Sequence, residues 1–252
     1  MSDAAPATVV IPARLESSRL PRKVLADIGG RPMIERTHEV AVEAGCGPVI
    51  VATDSEEVAD VVRGFGGDVV MTGTEIESGT ERIASIADRL ETDVVVNLQG
   101  DAPLTDPAVL AQAAREAAGS EAAVTMPVYR MQRSEQVHDP SVVKVVRAHD
   151  GSTLYCSRSP VPHVRGSVPD AWAETATFWG HVGLYAYTTA FLKAFAELPD
   201  SGLEDAERLE QLRWLEAGHR IHTFEVEPQG PSVDTPAQLE SVRQLVEAGR
   251  TP

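Results

Sequence analysis

Short runs of β-branched and apolar residues recur at 8–11, 49–52, 68–71 and 94–98, with amphipathic stretches between them. A strand that leads through a helix to another strand closes as a parallel crossover unit, so the first hundred residues are confined to the α/β class. The punctuation agrees. Pro32 stands near the start of one helix, Gly45 and Gly47 follow its end, and Asp54 or Ser55 supplies the next N-cap. In a sheet of this kind ligands bind beyond the carboxyl ends of the strands, so chemistry is sought in the residues just after each one.

Further strand candidates lie at 123–127, 142–146, 183–187 and 221–226, and helices are expected from Thr189, from Leu203 to residue 217, and from Pro236. With no linker, residues 1–252 read as a single domain. The stretch 157–177 is richer in Pro, Gly, Ser and Trp and reads as a long excursion, serving as a lid, an oligomer arm or both. A chain of 252 residues that is 42% hydrophobic and 24% charged can bury its own core, which argues against disorder and fibrous classes. The charge sum of 22 − 38 = −16 excludes a general polyanion binder, so no nucleic-acid partner is expected and any anionic ligand needs a local basic site. Cys46 and Cys156 are too few for a disulfide framework, and no secretion signal or membrane-length apolar run is visible. A cytoplasmic setting without membrane association follows as the expectation.

Four segments carry unusual residues. After the first strand, Arg14, Arg19, Arg22 and Lys23 fall within ten positions, where an even spread of cations would put roughly one. Such a loop is either a solvated basic turn or a triphosphate site, in which Arg forks and a mobile Lys stabilise phosphate charge. It is not a P-loop. After the fourth strand, Asp101 follows Gly100, with Asn97 and Gln99 as neutral neighbours; its carboxylate is either a turn device or a hard oxygen ligand for Mg²⁺. Near the C-terminus Thr235 precedes Pro236 and takes the N-cap duty, which leaves Asp234 as a second carboxylate available for the same ion. Ser78 to Arg82 forms a capping-box pattern with Glu81, while Arg82 and an exposed Gly79 remain for close approach to a planar base. The seven histidines have no zinc spacing, and His181 reads as either an ordinary strand-end residue or a site residue. Asp106 before Pro107 fits an N-cap.

In this order, VVIPARLESSRLPRKVL, GGRPMIERT, VATDSEEV, SGTERIA, VNLQGDAPL, VVKVV, LYCSRSPVP, GHVGLYAY and VDTPAQLE resemble the 3-deoxy-manno-octulosonate cytidylyltransferase family over about residues 8 to 245. The resemblance implies an α/β fold like that of nucleotide-diphosphosugar transferases, a mostly parallel sheet flanked by helices, and a homodimer. It implies CTP, Mg²⁺ and a small acidic acceptor, 3-deoxy-manno-octulosonate (Kdo) or a close analogue, which takes CMP and releases pyrophosphate. Carried onto this sequence, the catalytic set is Arg14, Lys23, Asp101 and Asp234, with the metal on the two acids. The nucleotide side comprises Pro12, Ala13, Arg14, Arg22, Lys23, Ser78, Gly79, Thr80, Arg82 and Asp101. The sugar side comprises Gln99, Arg158, His181, Tyr185, Glu210 and Gln211.

Three positions depart from the family pattern: Arg22 for Gly, Ala102 for Glu and Gly180 for Arg. The last two point to an altered acceptor side, such as an amino-substituted ulosonate or a phosphonate. The rivals are a sugar-1-phosphate nucleotidyltransferase using UTP or GTP, and a catalytically idle nucleotide-binding protein.

Overall fold

Every residue of the first strand is buried, because it pairs on both sides and both of its faces are covered, which is why it reads as a continuous apolar run. The computed structural model describes residues 6–17 and 19–249, so the start of the segment read for a secretion signal lies outside the described residues. Numbered in chain order, it opens with β1 (Ala7–Ala13), α1 (Met33–Glu43), β2 (Val49–Thr53), α2 (Glu56–Gly64), β3 (Asp68–Met71), α3 (Gly79–Ala84), β4 (Val94–Leu98) and α4 (Pro107–Gly119). There follow β5 (Val124–Arg130), α5 (Ser134–His138), β6 (Lys144–Arg147), β7 (Thr153–Ser157), α6 (Trp172–Thr175) and β8 (Trp179–His181). The remainder is β9 (Leu184–Thr188), α7 (Thr189–Ala194), α8 (Gly202–Glu207), α9 (Glu210–Glu216), β10 (Ile221–Glu225) and α10 (Pro236–Glu247). No helix among the described residues is long and apolar enough to cross a membrane.

The chain divides into two compact units: residues 1–119, 184–196 and 229–252 form the first, and 120–183 with 197–228 the second. In the first, the strand order is β3-β2-β1-β4-β9, parallel throughout except that β9 runs against β4. Ser55 caps α2 with its side chain, Thr235 and Gln238 form a capping box at α10, and Asp106 accepts the Ala108 N–H as α4 begins. Ile28, Met33, Leu104, Val233, Leu239 and Val242 form one apolar cluster, which ties the segment after the basic loop to the segment after β4 and to the start of α10.

In the second unit β10 pairs parallel to β5, while β5–β8, β8–β6 and β6–β7 are antiparallel. The sheet is therefore mixed rather than mostly parallel. The connection from β6 to β7 is too short for a crossover helix, and only an antiparallel neighbour can be reached that way. Strands β7 and β8 escape a sequence reading because β7, Thr-Leu-Tyr-Cys-Ser, has no run of β-branched residues and β8 has three residues. Within 157–177 the regular structure consists of one 3₁₀ turn at Pro169–Ala171 and α6, where Trp172 stacks on Phe178 at 6.1 Å. The helix expected over 203–217 is two: Arg208 adopts a left-handed φ of 53° at the end of α8 and Leu209 is extended, although the helical charge pattern runs on through the break. Lys144 is fully buried and donates to three carbonyls, those of Asp139, Val142 and Arg158. Both cysteines are buried and free, and burial pushes the Cys156 thiol up to about 12, far from thiolate chemistry.

Candidate active site

At the carboxyl ends of β1 and β4, and at the turn into α10, three chain segments meet in the first unit. The Lys23 ammonium donates to Asp101 Oδ2 at 2.5 Å and to Asp234 Oδ1 at 2.9 Å, and Arg19 reaches the same Asp234 oxygen at 3.1 Å. Two acids more than a hundred residues apart are thus neighbours. Their spacing has a backbone cause: the Val233 N–H donates to the Asp101 carbonyl at 2.9 Å, and Gln238 Oε1 accepts from the Asp234 N–H at 2.9 Å. Thr235 carries the cap, so the Asp234 carboxylate is left for the cavity. Burial alone would lower the Lys23 pKa, but Asp101 and then Asp234 outweigh it and hold the ammonium above its ordinary range.

A cavity of about 250 Å³ opens beside this cluster. Arg14, Lys23, Asp101 and Asp234 line it, together with Pro12, Ser78, Gly79, Arg82 and Gln99, so most of the expected nucleotide-side residues come together. Ser78 caps α3 by accepting the Glu81 N–H at 3.0 Å. Gly79 is half-buried rather than exposed. A Cβ there would stand 3.2 Å from the Gln99 amide and 3.2 Å from Pro12 Cγ, so glycine is what lets this helix start lie flat on the cavity floor. Gln99 is oriented in turn by a buried chain: its amide donates to Asn97 Oδ1 at 2.8 Å, Asn97 donates to the Tyr187 hydroxyl at 3.2 Å, and that hydroxyl meets Thr80 Oγ1 at 2.9 Å. Tyr185 stacks on Tyr187 with centroids 5.8 Å apart.

Three expected nucleotide-side residues are not among those that line the cavity. Ala13 ends β1 within the core, and Thr80 is buried in the relay just described. Arg22 takes a left-handed φ of 59° and turns its guanidinium to Glu57 on α2. That backbone explains why a glycine suits the position. Two residues were missed by sequence reasoning. Arg19 lines the cavity from the loop already noted as basic. Asp54 accepts from Arg82 Nη2 at 2.9 Å and from the Leu15 N–H at 3.4 Å. The available signal was that Ser55 alone meets the capping duty at α2, which left the Asp54 carboxylate unaccounted for. Arg82 lines the cavity yet is only 2% exposed, and its remaining donors go to Thr72 Oγ1 and to the Gly73 and Ile76 carbonyls at 3.3 and 2.8 Å. It builds the 72–78 turn.

The second unit holds the rest of the expected sugar-side residues. His181 Nε2 lies 3.4 Å from Gln211 Nε2, and burial lowers the imidazole pKa to about 4, so it is neutral at ordinary pH. Glu210 opens α9 two residues after the left-handed Arg208. Arg158 donates to the carbonyls of Glu207, Pro140 and Arg208 at 2.7, 3.1 and 3.4 Å, the first and last of them at the end of α8. Gly180 pairs with Tyr129, and a Cβ at 180 would meet the Tyr129 ring at 2.4 Å. Neighbouring strand residues face opposite ways, so Gly180 belongs to the face away from His181, and the aromatic ring fills the space above it.

Lys23 brings one oxygen of Asp101 and one of Asp234 to a single ammonium, and hard oxygen donors of this kind suit Mg²⁺. Among the described residues there is no group of three or more His, Cys, Asp or Glu that could hold a metal. Two carboxylates alone would hold such an ion only with water and ligand oxygens completing its shell.

Residues 8–221 match the cytidylyltransferase family model. The 3-deoxy-manno-octulosonate cytidylyltransferase of Chlorobium luteolum is 45% identical over 248 residues, covering 95% of this chain and 97% of its own. That of Pasteurella multocida is 42% identical over 255 residues, covering 95% and 98%. A solved CMP:2-keto-3-deoxy-manno-octonic acid synthetase complexed with CTP superposes with a TM-score of 0.91 at 42% identity, over 97% of this chain and all of the other. A nucleotidyl transferase from Methanothermobacter, 15% identical with a TM-score of 0.64 over 98% of this chain, shares the fold.

Proposed function

Because the chain belongs to the 3-deoxy-manno-octulosonate cytidylyltransferase family, we propose that the cavity around Lys23, Asp101 and Asp234 is where it transfers CMP from CTP to Kdo. The observation that carries this reading is the meeting of the two acids under one lysine, beside a basic loop and a helix start. Arg14 and Lys23 bind the triphosphate, and the Ser78–Gly79 helix start lies against the nucleoside. The role toward the sugar is carried, residue by residue, to Gln99 and Tyr185 and to His181, Glu210 and Gln211. Arg82 on the nucleotide side and Arg158 on the sugar side keep their proposed roles while also donating to backbone carbonyls.

The reaction is an in-line displacement: an acceptor hydroxyl oxygen forms a bond to the α-phosphorus, its proton leaves to solvent, and the bond to the β-phosphate oxygen breaks to release pyrophosphate. Both substrates are anions, so the first task of the protein is neutralisation, which Arg14, Arg19 and Lys23 perform in a chain of net charge −16. Bound on Asp101 and Asp234, Mg²⁺ supplies further neutralisation of phosphate charge. No nucleophilic side chain is needed, and holding the two substrates in line accounts for most of the acceleration.

Kdo itself is favoured over an analogue, since Gly180 faces away from His181 and Ala102 is not among the residues lining the cavity. One cytidylyltransferase domain is supported by a family match that runs through segments of both units. A homodimer and a cytoplasmic setting complete the proposal. The test is pyrophosphate release from each of the four nucleoside triphosphates with Kdo and Mg²⁺. Release with CTP is expected; equal release with UTP or GTP, or none with any, overturns the reading.

A further inference from the structure

We infer that Lys23 is a removable plug in the metal dyad: in the free protein it holds Asp101 and Asp234 closed, and it yields them when an incoming triphosphate draws it away, so the divalent cation enters with the nucleotide. The inference rests on the cavity being the cytidylyltransferase site. It adds an order of events and a role for Lys23 in the protein without ligand.

Three observations carry it. The first is occupancy, since the ammonium lies 2.5 Å from one carboxylate oxygen and 2.9 Å from the other, where a cation shared by the two acids would have to bind. The second is charge. Lys23 and Arg19 already compensate the two carboxylates, so a dication arriving alone meets a neutral cluster and must displace a cation into cation–cation contact. A triphosphate removes that obstacle, because its oxygens give the ammonium a better anion at the end of a flexible four-carbon stem.

The third observation separates a plug from a structural tie. The acids are not held together by Lys23 alone. The Val233 N–H on the Asp101 carbonyl, the Gln238 side chain on the Asp234 N–H, and the cluster containing Leu104, Val233 and Leu239 fix both segments independently. Removing the lysine therefore leaves two adjacent carboxylates in place, a better cation site than the native one.

The full-length protein is titrated with Mn²⁺ and followed by electron paramagnetic resonance, without nucleotide and with α,β-methylene-CTP, which cannot turn over. The wild type is expected to show no saturable Mn²⁺ site below roughly 1 mM alone and a tight one with the analogue. Lys23→Met should bind Mn²⁺ without nucleotide at least about tenfold more tightly, from loss of the competing charge. Lys23→Gln should do the same, Lys23→Arg should keep the wild-type behaviour, and Asp101→Asn added to Lys23→Met should abolish the gain. Equal Mn²⁺ affinity of the wild type with and without the analogue overturns the proposal, whatever the variants do. So does a folded Lys23→Met or Lys23→Gln that binds no more tightly than wild type. Mg²⁺-dependent pyrophosphate release from CTP and Kdo is measured beside it. If that fails while the Mn²⁺ pattern holds, the functional reading falls and the plug stands; the reverse result rejects only the plug.

Discussion

Two cations that line the same cavity, Arg82 and Lys23, are paired with carboxylates in opposite ways. Arg82 is 2% exposed, and both terminal nitrogens of its guanidinium are divided among Asp54, Thr72 and two loop carbonyls. Lys23 is 14% exposed, and its acids are 21% and 34% exposed, with only carboxylates as partners. Breaking the first would leave a charge in low dielectric with nothing to replace it, whereas water or ligand phosphate can replace the second. A buried fork makes a scaffold and an accessible point charge makes an exchangeable contact, although a sequence writes both as a basic residue near an acid.

Asp101→Asn is the strongest way to break the contrast. It keeps size and removes charge, so turnover should fall on the order of 10³-fold while the melting temperature stays near wild type. Pyrophosphate release and a thermal melt of the same sample check both halves, and a large loss of stability with normal turnover would reverse the assignment. Arg82→Met should do the converse first, destabilising the fold by about 3 kcal/mol by stranding Asp54. Denaturant melts read this, and adding Asp54→Asn should recover part of the loss.

The second unit offers an intermediate case in His181, whose imidazole pKa is lowered to about 4 by burial. An unfolded histidine takes up its proton near pH 6.5, well before the folded one, so stability should be complete above about 6.5 and decline toward 4. The decline should amount to no more than about 2 kcal/mol. Urea melts across that window should show it in wild type and not in His181→Gln. The smallest effect belongs to the surface pair of Arg22 and Glu57, where Glu57→Gln should cost less than about 0.5 kcal/mol. A larger loss there would mean that the left-handed Arg22 backbone depends on the ion pair.

The alternating strands of the first unit were legible because their short β-branched runs recur between capped amphipathic stretches; two of the first four strand boundaries, 68–71 and 94–98, coincide with the observed ones. The break between α8 and α9 was not, since a single left-handed Arg208 leaves no periodic trace in its neighbours. For the site, Arg14, Lys23, Asp101 and Asp234 could be named from local excess of charge, from positions after strands and from family resemblance. Arg158 shows what that reasoning does not reach: an arginine in a loop gives no sign in the sequence of the three carbonyls it also donates to.

By itself the sequence determined the α/β class, the family, and which segments concentrate cations and carboxylates, because these depend on residue type and on spacing along the chain. Only the tertiary structure decided that Asp101 and Asp234 share one lysine, that Arg82 pairs with Asp54, and that Gly180 faces away from His181. Each of these depends on which backbone carbonyls and side chains arrive from distant segments to meet a charged group, and no local pattern of residues encodes that arrival.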